Sequence, residues 1–310
     1  MRNFLSLNDI CADEARELVD RAVEFARVGD RRAPRSLAGH PVGIYFSKTS
    51  TRTRSSFWAG ATRLGADVIT YGPDDLQLNT GETREDTARV LGQYLDALVI
   101  RTNGDVGEMR ALGSSPDLAV VNALSLDEHP TQAVADFATL AEHFGDLDGK
   151  HLLYVGEGNS SAAALALLTA LTPGFKLSVL CPEGYGLPPE ILARVEQLGG
   201  GKALVTHHQH IDELDAPADA VYTARWQTMG VEKADPNWLR AFDGFRVDRD
   251  FFAKVTGPNA VFLHDLPAIR GQEVTDDMLD GPESLAWRQA YHKMTAAMSV
   301  LEWCVVGGAQ

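Results

Sequence analysis

The chain has 310 residues, 45% hydrophobic and 23% charged, so it can bury a sizeable core and is longer than one core usually serves. A formal net charge of −15 excludes general attraction to nucleic acid or anionic lipid, which makes a local basic cluster informative. Cys11, Cys181 and Cys304 lie far apart without ligand spacing, which fits a reducing, cytoplasmic setting and neither a disulfide framework nor a zinc site. No apolar run approaches the roughly 18 residues of a membrane span, and the N-terminus does not read as a signal peptide.

In chain order, Asn8 or Asp9 is expected to cap a helix running to Val28, with Ile10, Ala15, Leu18, Val19, Ala22, Val23 and Phe25 on one face. Val42–Phe46 reads as a buried strand. It leads into Ser47-Lys48-Thr49-Ser50-Thr51-Arg52-Thr53-Arg54 and then a helix over 54–64. Three cations and five hydroxyls in eight residues exceed what one helix cap uses. Free N–H groups at a helix start, hydroxyl donors and arginine forks together suit a phosphate.

The alternation continues with strand Asp67–Tyr71, helix 83–95, strand Ala97–Arg101, a short helix near 107–112, strand Leu118–Val121 and a long helix, Thr131–Gly145. A second series follows: strand His151–Val155, helix 161–171, strand 176–180, helix 188–198, strands 203–206, 219–223 and 260–263, and an amphipathic helix over 284–305. Apolar runs separated by amphipathic helices predict an α/β protein with two doubly wound parallel sheets. The boundary is expected at this long helix, with domains 1–145 and 146–310, the last helix packing back on the first. Gly156-Glu157-Gly158 resembles a dinucleotide turn, but the third glycine of that fingerprint falls on Ser161, and an ordinary strand-to-helix turn explains both glycines.

Other polar groups fall at expected carboxyl ends of strands, where open α/β sheets bind ligands. Arg101 ends one strand, His129-Pro130-Thr131-Gln132 begins the long helix, and Ala224-Arg225-Trp226-Gln227-Thr228-Met229-Gly230 and His264-Asp265-Leu266-Pro267 follow two others. Each is unremarkable alone, as a surface ion-pair residue or a helix-start histidine. Together they converge on one expected cleft between the domains.

These strings resemble the aspartate and ornithine carbamoyltransferase family along nearly the whole chain. Ser50-Thr51-Arg52-Thr53-Arg54 is similar to its carbamoyl phosphate signature, and His129-Pro130-Thr131-Gln132 matches its second signature. The resemblance implies a phosphate on Ser50, Thr51, Arg52 and Thr53, a carbonyl oxygen facing Thr53, Arg101 and His129, and Gln132 on the carbamoyl amide. Arg52, Arg101 and His129 are the implied catalytic residues. Gln77 is implied to enter a neighbouring subunit's site, which makes the expected assembly a homotrimer. Lys293 aligns with an arginine that the ornithine branch directs at carbamoyl phosphate. No metal, nucleotide or other cofactor is required.

The implied acceptor site consists of Asn159, Arg225, Gln227, Thr228, Met229, Asp265 and Leu266. Here the chain departs from the ornithine branch. Its Asp-x-Trp-x-Ser-Met-Gly reads Ala224-Arg225-Trp226-Gln227-Thr228-Met229-Gly230, so the carboxylate that meets the α-amino group is gone, and its His-Cys-Leu-Pro reads His264-Asp265-Leu266-Pro267. Arg225 and Gln227 resemble the Arg-x-Gln of the aspartate branch, whereas that branch's loop lysine corresponds to Thr80. Asp265 either restores the lost contact or pairs with Arg225. The expected activity is transfer of a carbamoyl group to the amine of an amino acid or related small amine other than plain ornithine. An ornithine enzyme with a rebuilt pocket and a non-catalytic binding homologue are the alternatives.

Overall fold

The structure, a computed structural model, describes residues 1–29, 32–76, 81–200, 204–227 and 233–307. It divides into two units, Met1–Glu142 with Tyr291–Gln310, and His143–Ala290.

In the first unit a short 3-10 turn, Leu7–Asp9, precedes helix α1 (Ala12–Val28). Asn8 and Asp9 therefore do not cap α1. The Ser6 hydroxyl accepts from the Asn8 N–H at 3.1 Å, and α1 starts beyond the turn, where Glu14 reaches back to the Cys11 N–H at 2.9 Å. Strands β1 (Pro41–Phe46), β2 (Asp67–Tyr71), β3 (Ala97–Arg101) and β4 (Ala119–Leu124) form a parallel sheet in the order β2-β1-β3-β4. Helices α2 (Arg52–Arg63), α3 (Arg84–Leu91) and α4 (Val106–Leu112) connect them, and α5 (Pro130–Phe144) leaves β4. The chain steps from β1 out to β2 and returns to the other side of β1 for β3. The loops after β1 and β3 thus leave adjacent strand ends in opposite directions, which opens a crevice there.

Strands β1, β3 and β4 are buried along almost their whole length, as strands covered on both faces are, whereas edge strand β2 exposes Asp67, Ile69 and Thr70. β4 extends past its expected end because the buried Asn122 is satisfied. Its amide donates to the Leu5 carbonyl at 2.8 Å and to the Ser125 hydroxyl at 3.2 Å.

The second unit holds β5 (His151–Val155), β6 (Lys176–Leu180), β7 (Val205–His208), β8 (Ala218–Thr223) and β9 (Thr256–His264), parallel and ordered β7-β6-β5-β8-β9. Its helices are α6 (Ser160–Ala170), α7 (Pro189–Leu198), α8 (Arg249–Val255) and the one-turn α9 (Asp276–Leu279). The order reverses between β5 and β8, so their loops flank this sheet's crevice. Helix α8 had no sequence expectation, being too short to show a period. Asp248 caps it through the Phe251 N–H at 2.9 Å, and Phe251, Phe252 and Val255 join a core with Val247, Phe262 and Met278. β9 begins at Thr256, ahead of the expected 260, and Pro258 is tolerated because β9 is an edge strand. Helix α10 (Ala286–Val305) closes the fold. Among the described residues no helix is long and apolar enough to cross a membrane.

Candidate active site

In the first unit the basic loop sits where β1 ends. Phe46 lies in register with Arg101 on β3, and the Ser47 N–H donates to the Arg101 carbonyl at 3.0 Å, so the loop and the β3 end are held together. Helix α2 starts at Arg52, and Thr51 before it makes no side-chain capping hydrogen bond, an arrangement that suits an anion at a helix start. Ser50 and Arg52 are half-buried, Thr51 is exposed and Thr53 is buried. The Arg101 guanidinium donates through Nη1 to Thr53 Oγ1 at 3.2 Å, joining the two strand ends by side chains as well. Arg54 lies over the Phe46 ring, 5.2 Å from its centre.

His129 enters from the turn between β4 and α5. That turn is tight, with the Ser125 N–H donating to the Glu128 carbonyl at 3.0 Å and the Glu128 N–H to the Ser125 hydroxyl at 3.3 Å. Pro130 then opens α5, where a missing N–H costs nothing. Burial holds the His129 imidazole well below its ordinary range, and the nearby cations Lys293 and Arg101 add to this. The ring is therefore neutral at physiological pH and offers one N–H donor and one acceptor. Its Nδ1 has no hydrogen-bond partner among the described residues. One turn along α5, the Gln132 amide N–H donates to Asp136 Oδ1 at 2.7 Å, and the Gln132 carbonyl accepts from Lys293 of α10. Arg101, His129, Gln132, Asp136 and Lys293 are all at least nine-tenths buried.

The second unit assembles its own polar cluster around the reversal in strand order. Val155 of β5 pairs with Thr223 of β8, and Thr223 pairs with His264 of β9, so Ala224 follows in step with Gly156 on one side and Asp265 on the other. Asn159 is the cap of α6, its Oδ1 accepting from the Ser161 and Ala162 N–H groups at 3.0 and 3.1 Å. Asp265 accepts from the Ser161 hydroxyl at 2.9 Å, and among the described residues it forms no ion pair with Arg225. Leu266, at φ +53 and joined to Pro267 by a cis peptide, donates its N–H to His264 Nδ1 at 2.8 Å. The His264 proton thus sits on Nε2, which faces Glu273 Oε1 at 3.1 Å. Gln227 and Arg225 are half-buried. Burial raises the Tyr154 phenol well above its ordinary value, with the carboxylates of Asp265 and Glu157 next in effect.

The two glycines of the β5–α6 turn answer to packing. A Cβ on Gly158 would lie 2.4 Å from the Gly186 carbonyl carbon, and one on Gly156 would meet the Trp226 indole at 3.0 Å. Trp226 in turn stacks on Phe242 at 4.7 Å.

The carbamoyl-P binding domain of the aspartate/ornithine carbamoyltransferase family matches residues 2–142, and the family's Asp/Orn binding domain matches residues 148–304. The chain belongs to the aspartate/ornithine carbamoyltransferase family. It is 38% identical to the ornithine carbamoyltransferase of Methanoculleus marisnigri, over 99% of this chain and 98% of that protein. It is 39% identical to that of Acidothermus cellulolyticus, over 98% of this chain and 96% of that protein. The solved ornithine carbamoyltransferase of Pyrococcus furiosus superposes with a TM-score of 0.90 at 36% identity, covering 100% of this chain and 98% of the other.

As a member of this family the chain is a carbamoyltransferase, with two parallel sheets each flanked by helices. Of the family's motif residues, Thr53 and Arg101 meet directly, Gln132 meets Lys293, and Lys293 and Arg101 both act on the His129 ring. Gln77, Thr228 and Met229 lie outside the described residues. Sequence reading missed Asp136 and Ser161. Asp136 carried a usable signal, since it stands four residues after Gln132 on one helix face. Ser161 carried none, because its contact with Asp265 spans 104 positions.

Proposed function

We propose that the chain moves the carbamoyl group of carbamoyl phosphate to the amine of an amino acid or related small amine other than plain ornithine, in a site shared between the subunits of a homotrimer. The residues 1–145 take carbamoyl phosphate and the residues 146–310 take the acceptor. The phosphate rests on the uncapped start of α2 with Ser50, Thr51, Arg52 and Thr53. Its carbonyl oxygen faces Thr53, Arg101 and the neutral His129, whose N–H donates without adding charge. An uncharged amine attacks the carbonyl carbon, the C–N bond forms, the bond to the phosphate oxygen breaks, the proton lost by the amine nitrogen leaves on the phosphate, and Arg52 offsets the charge of that departing group. Asn159, Arg225, Gln227, Asp265 and Leu266 orient the acceptor. The three free thiols support a reducing, cytoplasmic compartment.

The observation that carries the acceptor reading is the step from Ala224 to Asp265. A carboxylate is missing at 224, just past β8, and one stands at 265, just past the neighbouring β9, bonded to Ser161 instead of neutralised by Arg225. That moves the anchor for an ammonium group sideways by about one strand spacing, roughly 4.8 Å, and so favours an acceptor of different length or branching. Ornithine itself is the second reading, favoured because relatives at 36–39% identity bear the name ornithine carbamoyltransferase.

The test supplies the purified protein with carbamoyl phosphate and ornithine, aspartate, diaminopropionate, diaminobutyrate, lysine or putrescine, and follows phosphate release and the carbamoylated product. The expected result is one non-ornithine amine with kcat/KM at least tenfold above ornithine. Equal or better use of ornithine establishes the second reading, and no phosphate release with any amine removes both.

A further inference from the structure

The carboxylate of Asp136 and the ammonium of Lys293 hold opposite ends of one amide. Asp136 is fully buried, Gln132 is 1% exposed and Lys293 9%. Gln132 Nε2–H donates to Asp136 Oδ1 at 2.7 Å, and Gln132 Oε1 accepts from Lys293 Nζ. An unrestrained glutamine amide can turn over and exchange its oxygen for its nitrogen, because the two ends have nearly the same shape. Here a turned amide would set its oxygen against a carboxylate and its N–H groups against an ammonium. Both contacts would change from attraction to repulsion, in a place where water does not screen them.

We infer that Asp136 and Lys293 are positioning residues which fix Gln132 with its carbonyl oxygen presented, so that it accepts a hydrogen bond from the carbamoyl N–H. This rests on the reading above that Gln132 meets the carbamoyl amide. The chemistry fits that assignment. The carbamoyl –NH2 is a donor and a poor acceptor, so only the oxygen end of Gln132 can recognise it. The same oxygen has two lone pairs, so it can accept from Lys293 and from a ligand together. A ligand with a methyl group in place of –NH2, such as acetyl phosphate, gains nothing from this oxygen and leaves it short of a partner. The Asp136–Gln132–Lys293 string is thereby a filter for the carbamoyl group, separate from the phosphate contacts of the α2 loop. Lys293 enters it through Gln132, whereas the ornithine-branch arginine aligned with it is directed at carbamoyl phosphate.

The experiment compares binding of carbamoyl phosphate, acetyl phosphate and inorganic phosphate to the full-length parent and to Asp136→Asn and Lys293→Met, by calorimetric titration, after a thermal melt shows each variant folded. In both variants carbamoyl phosphate is expected to weaken about tenfold, the size of one hydrogen bond. Inorganic phosphate, which has no carbamoyl group, should stay within twofold, and the preference over acetyl phosphate should collapse. In a Gln132→Ala background, Asp136→Asn should add less than twofold to the loss. Equal weakening of all three ligands, no weakening of any, or an undiminished Asp136 effect without Gln132 overturns the inference. If one variant fails to fold, the other carries the same comparison. A parent that binds no carbamoyl phosphate sinks the functional reading together with this inference, whereas a parent that binds beside unselective variants sinks this inference alone.

Discussion

His129 shows how far a single side chain's chemistry depends on what surrounds it. In the sequence it is a histidine before a proline; in the fold it is 4% exposed beside two cations, which disfavour its protonated form. An unfolded imidazole takes up a proton near pH 6.5, about its ordinary value, and the folded one resists until well below that. The unfolded state therefore binds more protons as pH falls through 6.5, and stability drops by up to about 1.4 kcal/mol per pH unit from this group alone. His129→Gln removes that dependence. Urea titrations at a series of pH values from 7 to 5 should show the parent losing more stability than the variant, and parallel curves would contradict it. Position 224 is the second residue-scale case. Ala224→Asp should raise kcat/KM for ornithine about tenfold or more, the worth of a hydrogen bond to a charged group. An unchanged acceptor profile removes the pocket reading. The proposed site residues cluster in short strings, and Asp136 stands four residues after one of them on the same helix face, while Ser161 meets a partner 104 positions away that no string displays.

Elements were read correctly where periodicity ran long enough to show and misread where a short contact decided. Helix α1 was assigned to Asn8 or Asp9, yet Ser6 draws those residues into a separate turn and Glu14 closes the helix at Cys11. Helix α8, seven residues long, left no pattern to read. The β5–α6 turn was expected to need its glycines as any strand-to-helix turn does, and the structure supplies a specific reason at Gly158. A methyl there meets the backbone of Gly186 at 2.4 Å, which a side-chain rotation cannot relieve. Gly158→Ala should lower stability by roughly 1–3 kcal/mol, the cost of overpacking. A thermal melt several degrees below the parent checks it, and an unchanged melting temperature would show that the turn can yield.

At the scale of the whole molecule, the proposed sharing of the site through Gln77 would require more than one copy of the chain. Sedimentation velocity should give a species near three times the 33.6 kDa of one chain, and a monomer at working concentration would remove the shared-site proposal. The alternation of apolar runs and amphipathic helices was enough to determine two parallel sheets, because a strand buried on both faces must be apolar throughout and each crossover must bring a helix back over the sheet. The grouped hydroxyls and arginines were enough to mark an anion site at a helix start, since neighbouring residues on one turn share a ligand, whereas carbamoyl phosphate entered only through the resemblance of Ser50–Arg54 and His129–Gln132 to the family's signatures. Tertiary structure alone decided strand order, and with it that Asp265 stands beside Ala224 and not in a pair with Arg225. It alone brought Lys293 to Gln132 across 161 positions. Contacts at that separation are set by how buried surfaces pack, which no local pattern of residues encodes.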